Sequence, residues 1–412
     1  MAKDRYMTAQ EAAHALGVSL PTLYAYVSRG LIRSSGTTGQ RQRRYDAEDI
    51  EKLVARKEGR RNPEVLAQDA LHWGAPVLES ALTLIDDHSV YYRGRPLTRL
   101  ARQLSIEQTA SLLWTGDADN APQLFSPETH VSARLYETIL AQIEALGLSL
   151  QPTQALQTML PLAASVDRGA YDLRPSAVMQ TGARILRLMA SVLAGDVPEQ
   201  MPIASMLKQG LRPDDPQAEA MFNALLTICA DHELNASSFT ARIVASAGAT
   251  PYAAVIAGMS ALGGFKHGGY TERVEAFLQS VNSPAEMRDA MAGRLRRGED
   301  VPGFGHKLYP NGDPRAQLLL SILYERYPNS PRLALIRAAI DGARELINEQ
   351  PAIDFALVAV ADVLELPAGS ALGLFALGRA VGWIGHTLEQ YSVDRIIRPR
   401  ARYTGDMPAT GE

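Results

Sequence analysis

The stretch VPGFGHKLYPNGDPRAQLLLSILYERY, residues 301–327, decides how the whole chain is read. It sets one histidine, His306, among small loop-forming residues, and Arg315 follows nine positions later at what the pattern predicts is a helix start. Asp313 is a natural N-cap and Pro314 suits the first helical position, so Arg315 emerges in the first turn. Free backbone N–H groups and the helix dipole favour an anion there, and an arginine is unfavourable unless something negative joins it. Two readings follow: Arg315 grips a bound carboxylate, or it is a surface arginine paired to a nearby acid. The glycines on either side of His306 let backbone approach a ligand closely.

Working outward, helical signals dominate. SIEQTASLLWTG, residues 105–116, has Ser105 as cap with Gln108 three residues on and stops at Gly116. Residues 135–147 place Leu135, Ile139, Ile143 and Leu146 on one stripe that ends at Gly147. Strands in this part of the chain are expected only in the short HSVYYRGR, residues 88–95. There is no fixed-period repeat, Gly-rich phosphate loop or low-complexity tract.

At 412 residues, 46% hydrophobic and 21% charged, the chain is expected to form two or three water-soluble domains. The single cysteine, Cys229, excludes an internal disulfide and a multi-cysteine metal cluster, which suits a cytoplasmic location. The histidines are scattered without an i, i+4 pair, so no metal site is expected. Neither an export signal nor a run of about 18 apolar residues is present, so no membrane association is expected.

The net charge of −4 is unevenly spread. Residues 1–61 hold 12 Lys and Arg against 7 Asp and Glu, net +5, and the remainder holds 29 against 38, net −9. A basic head before an acidic body hints at a polyanion partner for the head. The head predicts two helices capped by Thr8 and Ser19 with a turn at Gly17, an apolar face of Ala12, Ala15, Leu16, Val18, Leu23 and Val27, a Gly-rich hairpin, and a further helix capped by Asp46.

This turn, second helix, Gly30-Leu31, Arg44-Tyr45 and Asp49-Ile50 pattern resembles the MerR family of winged helix-turn-helix regulators. The resemblance implies that Ser19, Thr22, Tyr24 and Tyr26 lie on a recognition helix for the DNA major groove, with Arg41, Arg43 and Arg44 on the wing. The alternatives are a solvated surface, or a packing or dimerisation role for a retired DNA-binding fold.

Three histidines stand in conspicuous surroundings: His232 in ADHELNASSF, His267 in GGFKHGGYTE, and His306. Arg379 in LGRAVGWIGHTLEQ and Arg398 in IIRPRARYTG add two guanidinium forks, and several such forks in one pocket would suit a di- or tricarboxylate. Residues 73–406 resemble citrate synthase through APVLESALTLIDDHSVYYRGRPLTRLA, LLWTGD, DHELNASSFTARIVAS, KHGG, PGFGHKLYPNGDPRA, IDFALVAVADVLELP, FALGRAVGW and RPRARYTG, in that order.

The resemblance implies a mainly α chain with a small winged helix-turn-helix domain (1–60), a linker (61–70), a large helical domain (71–267 and 366–412) and a small inserted helical domain (268–365). It implies condensation of an acyl-CoA, acetyl-CoA foremost, with oxaloacetate and release of CoA, the citrate-forming entry to the tricarboxylic acid cycle. Propionyl-CoA, giving 2-methylcitrate, is a close competitor, because one methylene changes discrimination by only about 1–3 kcal/mol. A non-catalytic metabolite-sensing DNA-binding regulator on the same fold is the reading from another class.

Residue by residue, the resemblance makes Asp354 the base, His267 the enol-stabilising partner and His306 the group that protonates the ketone oxygen. His232, Arg315, Arg379 and Arg398 fall on the oxaloacetate, with Arg398 crossing from the other subunit of a homodimer. Val301, Pro302, Gly303, Phe304, Gly305 and Lys307 fall on CoA. No cofactor is implied beyond the acyl-CoA substrate. Lys266 and Tyr270 depart from the family pattern, which raises the expectation of an altered acyl pocket.

Overall fold

The structure is a computed structural model that describes residues 6–29, 31–35, 43–47, 49–50, 53, 78–86, 89–126, 136–138, 140–141, 145, 150–195 and 200–407. The chain divides into two compact units, Met1–Glu79 and Ser80–Glu412.

In the first unit, a three-stranded antiparallel sheet of order β1-β3-β2 (β1 Tyr6–Met7, β2 Ser34–Ser35, β3 Arg44–Asp46) accompanies helices α1 (Ala9–Leu16) and α2 (Leu20–Ser28). Thr8 caps α1 in a full capping box with Glu11, and Gly17 ends it in the left-handed region at φ 57°. Ser19 occupies the N-cap position of α2, but its Oγ meets Thr22 Oγ1 at 3.0 Å instead of a backbone N–H. Asp46 accepts the backbone N–H of Asp49 at 3.3 Å, as a cap does. The small core is Ala12, Ala13, Leu16, Leu23, Ile32, Tyr45 and Ile50. Ala15, expected on the apolar face, is exposed and Ala13 is buried in its stead, because the stripe of α1 is centred one residue earlier.

The second unit is helical apart from a three-stranded antiparallel sheet, β4 (Thr83–Ile85), β5 (Val90–Tyr92) and β6 (Arg95–Pro96). Strand β4 lies outside the segment expected to hold strands; three residues are too few to show an alternating pattern, and its pairing with β5, Thr83 opposite Tyr92 and Ile85 opposite Val90, defines it. The expected stripe of Leu135, Ile139, Ile143, Leu146 and Gly147 lies outside the described residues.

Helices follow in chain order: α3 (Leu97–Gln103), α4 (Ile106–Thr115), α5 (Ala121–Leu124), α6 (Pro152–Val166), α7 (Pro175–Ala194), α8 (Ile203–Leu211) and α9 (Ala218–Cys229). Next come α10 (Ala236–Ser246), α11 (Pro251–Leu262), α12 (Tyr270–Gln279), α13 (Met287–Arg296) and α14 (Pro314–Arg326). The last are α15 (Leu333–Ile347), α16 (Ile353–Val363) and α17 (Ser370–Val393). Ser105 closes the expected capping box at the start of α4, and Gly116 ends that helix at φ 84°.

Helix α17 is the axis of this unit. Its residues are buried almost all round, from Ser370 to Thr387, because α4, α7, α9, α10 and α11 pack against it. A helix apolar on every side belongs in the middle of a large core. Trp383 is fully buried there, so its truncation to alanine costs about 3–5 kcal/mol. The close approach of α17 to the end of α9 depends on Gly382: its N–H donates to Ala230 O at 2.9 Å, and an added Cβ would stand 2.4 Å from that oxygen. Helices α12 and α14 pack on α16, and α13 packs on α15. Thus the segment after α11 builds a helical cluster that carries Asp354 at the first turn of α16.

Candidate active site

His232 lies in the short connection between α9 and α10, and the sequence fixes that connection from both sides. Asn235 caps α10, its Oδ1 accepting from the N–H groups of Ser237 and Ser238 at 3.0 and 3.1 Å. The carboxylate of Asp231 is fully buried and is met by Thr83 Oγ1 at 2.5 Å and His386 Nε2 at 3.2 Å. Burial opposes the charge of Asp231, yet His386 and Arg379 hold its carboxyl below the usual range. Tyr92 hydroxyl sits against the backbone of Asp231, accepting its N–H at 3.1 Å.

Arg379, on α17, donates through Nε to Cys229 O at 2.8 Å, while among the described residues its buried Nη2 has no hydrogen-bond partner. An unpaired guanidinium nitrogen that is sealed from water is costly, and a bound acceptor relieves the cost.

The turn GGFKHGG closes on itself through His267 N–H to Gly264 O at 2.8 Å and Gly269 N–H to Leu262 O at 3.0 Å. It aims Nε2 of His267 at Ser237 Oγ, 2.9 Å away. Trp383 Nε1 donates to the same hydroxyl at 3.2 Å. Burial, with Arg379 and Arg315 nearby, lowers the His267 pKa to about 4, so the ring is neutral near pH 7.

His306 accepts the Leu308 N–H on Nδ1 at 3.2 Å, which puts the ring proton on Nε2. Burial and Arg315 bring its pKa to about 4 as well. The His306 and His232 rings stand 6.0 Å apart edge to face. Tyr309 lies against both, at 5.0 Å from the His306 ring centroid and with its hydroxyl 2.6 Å from His232 Nε2.

Arg315 is buried, not on the surface, and its negative partner is its own N-cap. Asp313 accepts from Arg315 Nε at 3.0 Å and Nη2 at 2.7 Å, and its Oδ1 also accepts the Arg315 N–H at 3.0 Å. Of the two readings, the surface arginine is corrected: the acid that pairs with Arg315 is its own cap, Asp313, and both are buried. Burial works against the Arg315 charge, but Asp313 pushes its pKa up. Asp313 oxygen also receives the Ile353 N–H at 3.1 Å, which ties the start of α16 to the start of α14.

Asp354 is the next residue, and Thr271 Oγ1 donates to its Oδ1 at 2.8 Å. Burial raises its pKa to about 6 against the lowering effects of Thr271 and Arg315. His232, His267, His306 and Asp354 therefore all feel the field of Arg315.

The remaining expected residues behave differently. Val301, Pro302, Gly303 and Phe304 are buried: the loop zips to the entry of α16 through Ala352 N–H to Gly303 O at 2.8 Å and Gly305 N–H to Gln350 O at 2.9 Å. Gly303, at φ 93°, is required for this packing, since a Cβ would sit 3.0 Å from that of Phe355. Phe304 packs on Phe355 at 4.8 Å between centroids, the rings tilted by 43°, and Lys307 is exposed. Arg398 is exposed on the segment after α17 and is not among the groups that meet His232. Tyr270 hydroxyl donates to Asp300 Oδ2 at 3.0 Å, so it braces the start of the 301–305 loop.

In the first unit, Tyr24 is exposed, whereas Tyr26 is half-buried against the small core. Arg43 and Arg44 are exposed and Arg41 lies outside the described residues. Sequence reasoning passed over Tyr309, Ser237, Thr271 and the Asp231–His386 pair; Tyr309 stood in the opening stretch, three residues after His306, and Asp231 directly before His232. Among the described residues no group of three or more His, Cys, Asp or Glu is arranged to hold a metal ion, and no helix is long and apolar enough to cross a membrane.

Residues 70–400 match the family described as citrate synthase, C-terminal domain. The chain belongs to the citrate synthase family. Residues 6–58 match a helix-turn-helix domain family. A citrate synthase of Haloferax volcanii is 32% identical over 368 residues, covering 81% of this chain and 94% of the relative. A 2-methylcitrate synthase of Mycobacterium tuberculosis is 28% identical over 354 residues, covering 77% of this chain and 85% of the relative. Among solved structures, citrate synthase from Pyrobaculum aerophilum superposes with a TM-score of 0.69 at 22% identity, covering 82% of this chain and 92% of that one. That structural likeness concerns the fold of the citrate synthase-like part of the chain.

Proposed function

We propose that this citrate synthase family member, an acyltransferase of that type, condenses an acyl-CoA with oxaloacetate and releases CoA. The observation that carries the reading is Arg379, whose buried and unpaired Nη2 stands with Arg315, His232, His267 and His306 around one set of charges. Two buried arginines beside three neutral imidazoles suit an acid with more than one carboxylate.

In this reaction Asp354, with a pKa of about 6, takes a proton from the thioester's α-carbon. Neutral His267 donates to the thioester oxygen as the enol develops. The α-carbon then bonds to the ketone carbon, and the ketone oxygen takes the proton that His306 carries on Nε2. Water hydrolyses the thioester, giving CoA and the tricarboxylic acid. Residues 268–365 act as a smaller domain that closes on the acid, with the 301–305 loop and Lys307 contacting CoA after rearrangement. The active form is a homodimer to which Arg398 contributes across the subunit boundary.

Acetyl-CoA is the proposed donor, with propionyl-CoA second because a 2-methylcitrate synthase is among the relatives. Thiol release from the purified protein with oxaloacetate and either donor tests both; release with neither sinks the reading. The helix-turn-helix match supports DNA binding by the first unit as a second property in the cytoplasm, and a protein that binds duplex DNA but releases no thiol would be the sensor.

A further inference from the structure

We propose that Tyr309 is a positioning residue that sets the tautomer of His232: its hydroxyl donates to Nε2, and the ring proton is held on Nδ1, the nitrogen that meets the acid substrate. The inference deepens the reading above and rests on it only for the identity of that acid.

A neutral imidazole has one donor and one acceptor nitrogen, and a phenol has one proton. The 2.6 Å contact between Tyr309 hydroxyl and His232 Nε2 therefore has two possible directions. Burial lowers the His232 pKa well below the ordinary value, with Arg315 and Arg379 adding to the effect, so the ring is neutral. Burial likewise keeps the phenol protonated, since it pushes the Tyr309 pKa up.

The accounting of protons decides the direction. If the hydroxyl accepted from Nε2–H, its own proton would need a second acceptor, and among the described residues Tyr309 hydroxyl has no hydrogen bond besides the one to His232. A buried hydroxyl proton without an acceptor is costly. If the hydroxyl donates, both groups are satisfied and Nδ1 carries the proton. Among the described residues Nδ1 of His232 has no hydrogen-bond partner, and it is not one of the sealed, unpaired polar atoms. A donor left open beside Arg315 and Arg379 fits a carboxylate or keto oxygen; a bare imidazole lone pair would repel one.

Tyr309 is held for this task by the groups it serves. Its ring lies under the Arg315 guanidinium at 5.6 Å and against His306 at 5.0 Å, and its N–H donates to His306 O at 3.0 Å. The phenol therefore couples the loop that carries His306 to the ring of His232. A phenylalanine in its place fills the same volume and removes only the hydrogen bond.

The test uses full-length protein labelled with nitrogen-15 in its histidines, without substrate. The His232 signals are identified as those lost in His232→Asn. In the wild type, Nε2 should resonate as an unprotonated nitrogen and Nδ1 as a protonated one. In Tyr309→Phe the ring should redistribute toward the Nε2–H tautomer. Kinetically, Tyr309→Phe should raise the KM for oxaloacetate about tenfold, the loss of one hydrogen bond's worth of preorganisation, with kcat changed less than about threefold and the acyl-CoA KM unchanged. A wild-type ring protonated on Nε2, or a ring whose tautomer is unchanged in Tyr309→Phe, overturns the proposal. The wild-type measurement requires no variant and no turnover, so it stands apart from the outcome of the thiol-release assay.

Discussion

Nε2 of His267 lies 2.9 Å from Oγ of Ser237, and that one hydroxyl is shared with Asn235 Oδ1 at 2.7 Å and Trp383 Nε1 at 3.2 Å. The Ser237 hydroxyl donates to Asn235 Oδ1, which can only accept, and His267 Nε2 is the alternative acceptor for that proton. For His267 to stabilise an enol from Nδ1–H, as proposed above, the Ser237 proton must turn from Asn235 to Nε2. Ser237→Ala releases the ring and leaves the Trp383 N–H without its acceptor. We expect kcat to fall about 10- to 100-fold with the oxaloacetate KM little changed, and stability to fall by about 1–3 kcal/mol. Steady-state rates and thermal unfolding measure the two effects; a variant that keeps full kcat removes Ser237 from the mechanism.

Asp354 ties activity to pH with a definite sign. Its carboxyl titrates near 6 in the folded chain against an ordinary 3.8, so the native state binds the proton more readily than the unfolded one. Stability therefore declines as pH rises from about 4 to about 6, and the whole penalty is present above that. Activity requires the ionised form and should fall as pH drops through about 6. Asp354→Asn should abolish thiol release and yet stabilise the protein at pH 7.5, on the order of 1 kcal/mol after allowance for partial exposure, with the gain vanishing near pH 3.5. Unfolding midpoints at the two pH values check this; destabilisation at pH 7.5 contradicts it.

How much of this was visible in the sequence depends on the distance over which a feature acts. The caps at Thr8, Ser105 and Asp313 are written within three residues of their partners, and all three hold. The Gly-flanked histidines and the helix that starts at Pro314 are local too. What stayed hidden depends on partners far away in the chain: Thr271 meeting Asp354, and Ser237 meeting His267. Asp313 was legible as a cap, but its second use as the counter-ion of Arg315 needs the guanidinium to fold back over its own helix start. Strand β4 was missed because three residues in pairing show no period that a single sequence can reveal.

The two buried arginines of the site, Arg315 and Arg379, should respond in opposite ways. Asp313 satisfies Arg315 and also the Ile353 N–H, so Asp313→Ala strands a buried charge and loosens the entry of α16. Breaking such a pair costs about 3–5 kcal/mol. Among the described residues Arg379 has no carboxylate partner of that kind, and burial already lowers its pKa. Arg379→Met gives up the Nε bond to Cys229 O but also removes the charge and the unpartnered Nη2, which offset one another, so its unfolding midpoint should stay within a few degrees of wild type. Its oxaloacetate KM should nevertheless rise about 100-fold or more, since a charge-assisted bond to the acid is lost. Calorimetry and oxaloacetate titrations separate the pair; a large loss of stability in Arg379→Met, with binding intact, would reverse the assignment.

The basic first unit offers a prediction that needs no operator sequence. Arg33 is engaged with Asp49, Nε to Oδ2 at 2.9 Å and Nη2 to Oδ1 at 3.0 Å, so it holds the fold together. Arg43 and Arg44 are exposed, and helix α2 itself, LPTLYAYVS, carries no basic residue. If this unit binds DNA, phosphate contact is expected from Arg43 and Arg44 on the wing and from the exposed Arg29 at the end of α2, and each arginine that neutralises a phosphate contributes about 0.9 to the slope of log affinity against log salt. Replacing Arg43 and Arg44 together with alanine should flatten that slope by about 1 to 2 for a mixed-sequence duplex, while thiol release by the rest of the chain is unchanged. Fluorescence anisotropy over a range of salt concentrations reads the slope directly. An identical slope in the double variant would leave the fold without a nucleic-acid role through its wing and favour packing between copies of the chain.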